Sequence, residues 1–176
     1  MTSNFSTRIR LAAVATFAAL LGAAIYLMDA AQERARAQDH SPIIDVANGD
    51  PEMAAAIGKA RATLPAFWAS YAAPKASEDG FSLKVRFATG GSRGEHVWMA
   101  EVKKLDGGRY SARFANQPRD LPGKRAGDLM QFAEADITDW MFMRNGKIVG
   151  GETIRPLLKR MPKADADALR ARLETP

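Results

Sequence analysis

The 176-residue chain is 47% apolar and 26% charged, the composition of one ordinary globular domain with something added to it. It has no cysteine, which excludes a disulfide framework and a Cys-His nucleophile, and its two histidines are too few for an ordinary zinc site. The formal net charge of +5 is mild. With four arginines and two acids ahead of Gln38 set aside, 21 basic residues face 18 acidic ones, interspersed, which reads as a solvated mixed surface and argues against a nucleic-acid partner.

The addition lies at the front. Arg8 and Arg10 precede Leu11 to Met28, a run of eighteen residues without a charge. At about 1.5 Å per residue such a helix reaches roughly 27 Å, just short of a hydrocarbon core of about 30 Å. Residues 1–29 therefore read as an uncleaved signal-anchor, with a cleaved signal peptide as the alternative. Gly22-Ala23-Ala24 and Ala35-Arg36-Ala37 have the small-x-small pattern, but the first cuts inside the run and the second lies far beyond it. Positive charge stays cytoplasmic, so the body is expected in the periplasm, held at the inner membrane by residues 11–28. A polar tether over 30–49 follows.

Asp50-Pro51-Glu52 is a helix start, with a capping oxygen, a proline in the first turn and an acid at the positive end. Met53, Ile57, Leu64, Phe67, Trp68 and Tyr71 follow at helical spacing, and Pro65 is expected to kink or restart the helix. The period then changes to two. Phe81, Leu83, Val85 and Phe87 alternate with polar residues; Trp98, Ala100 and Val102 are expected on one face of a second strand; Tyr110, Ala112 and Phe114 mark a third. Leu129 to Phe132 and Ile137 to Met143 are further strands, and Asn145-Gly146 is a tight turn into KIVGG. From Pro156 the chain turns helical, and a polar tail over 163–176 reads as a frayed last helix. The expected class is α+β, a helix packed on a small, strongly bent antiparallel sheet or incomplete barrel, with the globular part at 50–162.

Six stretches carry a family likeness: Ala56 to Trp68, EHVWM at Glu95 to Met99, NQP at Asn116 to Pro118, AGD at Ala126 to Asp128, DITDWM at Asp136 to Met141, and GGETIRP at Gly150 to Pro156. Together they resemble the uncharacterised bacterial domain family of unknown function 2314, the YegJ-like proteins. The likeness runs over more than half of the chain. It implies a compact domain, often exported or membrane-attached, and no established activity or cofactor.

Four carboxylates, Glu95, Asp128, Asp136 and Asp139, are the acid–base material, and a pair of them about 5–9 Å apart would suit a cell-wall hydrolase. Their spacing equally suits local backbone hydrogen bonds, which weighs against an enzyme. No metal set stands out. The tentative binding residues are Trp98 and Trp140, which would line a groove or sit in the core, and Thr153 with Arg155, whose guanidinium would clamp either Asp139 or a partner's carboxylate. The expected function is a binding or interaction module of the bacterial envelope, with an envelope protein or a cell-wall component as partner; the alternative is the carboxylate hydrolase.

Overall fold

The computed structural model describes residues 50–91 and 93–174, so the apolar run and the tether lie outside the described residues. Asp50 opens the first element: its Oδ1 accepts from the Glu52 and Met53 N–H groups, and helix α1 runs Pro51–Ala72. Pro65 does not restart this helix, which runs unbroken through it. Its ring is exposed, while Ala60 and Leu64 before it and Phe67 after it are buried, so packing on both sides carries the helix through the missing hydrogen bond. Among the described residues no helix is long and apolar enough to cross a membrane.

Six strands follow: β1 (Glu78–Gly90), β2 (Arg93–Lys104), β3 (Arg109–Phe114), β4 (Leu129–Ala133), β5 (Ile137–Arg144) and β6 (Lys147–Gly150). All neighbours are antiparallel in the order β4-β3-β2-β1-β5-β6, and the sheet is not closed. Only Glu134–Asp136 separate β4 from β5, although three strands lie between them. So short a link reaches only because the sheet curls around α1. Arg61 of α1 fastens the link, donating through Nε to the Ile137 carbonyl and through Nη2 to that of Ala135, each at 2.9 Å. The chain ends in α2 (Ile154–Leu157), a single tight turn (Leu158–Arg160) and α3 (Lys163–Arg172).

One face of the sheet receives α1. Phe67, Trp68 and Tyr71 spread across it, with Phe67 against Trp140 of β5 and Trp68 stacked on Tyr110 of β3. Leu83, Val85, Val97, Met99, Phe114 and Phe142 complete this core. Trp98 and Val102 do not share a face as their spacing implies. Glu101 takes φ 52, and the β2–β3 register shifts between Ala100 and Lys103. This bulge moves Val102 into the core beside Val97 and Met99 and leaves Trp98 facing away from α1. A second, smaller core joins Ile148, Leu158, Ala166 and Leu173. The last helix is thus packed, where a frayed tail is the sequence expectation: Leu173 bridges Ile148 in parallel, and the Glu174 N–H donates to the Ile148 carbonyl at 2.8 Å.

Trp140 belongs to the main core at 5% exposure, and its Nε1–H donates to the Ala60 carbonyl at 2.9 Å. Trp140→Ala removes a large buried ring and the bond that ties it to α1, so it is expected to cost about 3–5 kcal/mol. Chemical denaturation measures it, and an unchanged midpoint would contradict this packing.

Candidate functional site

Asp139 lies opposite Lys84 in the β1–β5 ladder, on the face turned from α1. Its carboxylate is fully buried and accepts four hydrogen bonds. Oδ1 takes the N–H groups of Trp140 (2.8 Å) and Glu152 (3.2 Å), and Oδ2 takes the N–H (2.7 Å) and hydroxyl (2.6 Å) of Thr153. The Thr153 hydroxyl in turn accepts from Lys84 Nζ at 3.1 Å. Burial raises the Asp139 carboxyl above its usual range, against the hydrogen bonds and the Lys84 charge that lower it. Burial lowers the Lys84 ammonium, opposed by Asp139.

The glycines of GGETIRP make this clasp sterically feasible. Gly150 and Gly151 take φ 80 and 65, and a Cβ on Gly150 would fall 2.4 Å from the Trp140 carbonyl oxygen and 2.6 Å from its ring. The chain folds back onto β5, Gly151 N–H donates to the Trp140 carbonyl at 2.8 Å, and the next two N–H groups point at Asp139.

Arg155 does not reach Asp139, which corrects the expected clamp. The turn into α2 carries it the other way: Nη2 donates to the Glu174 carbonyl at 3.0 Å, and Nε lies 3.5 Å from Glu152 Oε2. The Thr153 and Glu152 backbone takes the carboxylate that the arginine was expected to hold. Arg155 ties the C-terminal segment to this loop.

Trp98 is half-buried, with Lys84 Nζ 5.5 Å from its ring centroid. On the same face Thr138 donates its hydroxyl to the Lys84 carbonyl at 3.2 Å, so it accepts from His96 Nδ1, 3.0 Å away. That pattern assigns the Nδ1–H tautomer. His96 keeps solvent access, yet the crowding of its ring, followed by the positive charges of Lys84, Arg86 and Arg61, holds its pKa down to about 4. Arg86, exposed, stands opposite His96 in the β1–β2 ladder.

Of the residues singled out from sequence, Trp98, Asp139 and Thr153 thus gather around Lys84, while Trp140 faces the opposite core and Arg155 the C-terminal segment. Lys84, His96 and Thr138 are members that sequence reasoning missed. Lys84 reads as one polar position of an alternating strand, and only the long-range pairing of β1 with β5 gives it a partner. The remaining carboxylates serve backbone: Asp128 takes the N–H of Arg125 and Asp136 that of Ala133, both local, while Glu95 takes the distant N–H groups of Arg119 and Asp120. No group of three metal-ligating side chains occurs among the described residues. The Asp139–Thr153 pair is sealed from solvent and holds the frame beneath the surface around Trp98.

Comparison with known proteins agrees with the quoted stretches. A family model described as an uncharacterized protein conserved in bacteria (DUF2314) matches residues 50–172. The chain belongs to this family. It is 37% identical over 99 residues to the uncharacterized protein YegJ of Escherichia coli (strain K12), a match covering 56% of this chain and 63% of that one. It is 29% identical over 132 residues to a putative ankyrin repeat protein, NMB1133/NMB1171, of Neisseria meningitidis serogroup B, covering 71% of this chain and 52% of that one. The chain thus spans between half and two thirds of the length of these relatives. No solved structure matches.

Two outcomes follow from the site. Asp139→Ala leaves three N–H groups and the Thr153 hydroxyl without their acceptor and the Lys84 ammonium without its counter-charge, and is expected to cost about 3–5 kcal/mol. Lys84→Met should cost less, and a double-mutant cycle on denaturation midpoints should show the two coupled. His96 is depressed in the folded chain relative to an unfolded value of about 6.5, so the unfolded state binds its proton first. Stability is therefore lost as the pH falls from about 6.5 toward about 4, and His96→Gln should flatten that part of a melting-temperature profile. An identical profile for the variant would remove His96 from the network.

Proposed function

We propose, with family membership as the premise, that this chain is a tethered binding module of the bacterial envelope whose sheet face around Trp98 receives a partner. The observation that carries this reading is the half-exposed Trp98 ring with Lys84 over it and exposed Arg86 and His96 in the neighbouring ladder position. An aromatic plate ringed by cations suits an anionic group, met by charge and by ring stacking together. The partner is accordingly an acidic surface of an envelope protein or of the cell wall. The buried Lys84–Thr153–Asp139 chain keeps the plate from shifting when a ligand docks.

Placement of the body outside the cytoplasm is supported by Arg8 and Arg10 ahead of the uncharged run at 11–28. A C-terminal alkaline-phosphatase fusion to the full chain should be active. An inactive fusion together with a fluorescent cytoplasmic reporter would contradict this placement.

For the face itself, a photo-crosslinking side chain at position 98 of the full chain should capture an envelope component in living cells. The same side chain at Ala55, exposed on α1, should not. Arg86→Glu should lose the capture. Equal capture from positions 98 and 55 would defeat the assignment of the face.

A further inference from the structure

Strand β4 forms one edge of the sheet and reads LMQFA, without a charge or a proline. Edges are ordinarily blunted by lysine, proline or a bulge, because their unpaired N–H and C=O groups template further pairing. The opposite edge is occupied in part by the chain itself, through Leu173 and Glu174 on Ile148.

Which β4 groups point outward follows from the ladder. Phe114 N–H donates to the Asp128 carbonyl at 3.1 Å, and Met130 and Phe132 then oppose Ala112 and Tyr110. Asp128, Met130 and Phe132 therefore turn their backbone groups to β3, and Leu129, Gln131 and Ala133 turn theirs outward. The Ala133 N–H confirms the parity, since it donates to Asp136 Oδ2 at 3.0 Å, and that cap ends the row. The outward groups of Leu129 and Gln131 have no partner among the described residues. Leu129 is moreover the exposed large hydrophobic, at 54%.

We propose that β4 pairs antiparallel with β4 of a second copy, about a two-fold axis at Met130. In that register Leu129 of each copy opposes Gln131 of the other, and their N–H and C=O groups make four hydrogen bonds by symmetry. Every outward group on these two residues is then used, and the Asp136 cap stops the pairing where it stops. The open row is two outward residues long and uncharged, and β4 of a second copy matches it in length, parity and charge. No charge lies in the paired strand, and the acids at its ends are already engaged: Asp128 by the Arg125 N–H and Glu134 by the Tyr110 hydroxyl. So short a contact falls below the roughly 1,200 Å² of a stable interface, so the dimer is weak and concentration-dependent. It would make one continuous sheet carrying two Trp98 faces.

The chain has no cysteine, so an introduced one reports alone. Directly opposed residues at a non-hydrogen-bonded position stand about 4.5 Å apart at Cα, within disulfide reach. Full-length protein with Met130→Cys should give a disulfide-linked dimer on mild oxidation, at least about tenfold more than Ala135→Cys, which is exposed and off the row. Adding Gln131→Pro removes an outward N–H that no neighbour within the chain uses, so melting should hold while the dimer is lost. Should Met130→Cys fail to fold, Leu129→Cys with Gln131→Cys tests the same register with two exposed positions. Three results each overturn the proposal: no excess of dimer over Ala135→Cys, a link that survives Gln131→Pro, or a link to another protein in place of a second copy.

Discussion

A fully buried carboxylate is tolerated only if its charge is met on the spot, and Asp139 imposes that condition on everything around it. Its own strand, a reversed loop and the start of a helix converge to supply it with donors. Its neighbour Trp140 makes the complementary demand on the opposite face, where the indole N–H takes the Ala60 carbonyl of α1. Two consecutive residues thus fasten the helix to one side of the sheet and the GGETIRP loop to the other. Replacing either would free a layer; Gly150 is required because the loop lies directly on the Trp140 backbone, and Gly151 because it takes φ 65 against Ile154.

Much of this was legible in the sequence, wherever the physics is local. The Asp50-Pro51 start, the period-two strands and the Asn145-Gly146 turn, with φ 50 and 75, all appear as read. The failures share one cause, which is that the deciding contact is distant. Pro65 persists inside a helix because the sheet grips it on both sides. Val102 parts from the face of Trp98 because of a bulge just before it, at a glutamate whose identity gives no hint of positive φ. Arg155 turns away from Asp139 because backbone N–H groups are nearer to the carboxylate and easier to align than a long side chain.

The site divides labour in a way the sequence could not display. Charged residues that look like chemistry, Asp139 and Lys84, are the frame. A tryptophan, an arginine and a histidine that look like ordinary strand positions form the accessible surface. Depressing the histidine keeps that surface from acquiring a further charge near neutrality, so its positive character comes from Lys84 and Arg86.

The strand order has a consequence for how the molecule assembles. The β1–β2–β3–β4 meander pairs sequence neighbours and closes short loops, whereas joining Lys84 to Asp139 spans 55 positions. Long closures form late, since their entropy must be met before their contacts help. The β5–β6 hairpin is therefore expected to dock onto a meander already made, which would take carboxylate and ammonium out of water in one step.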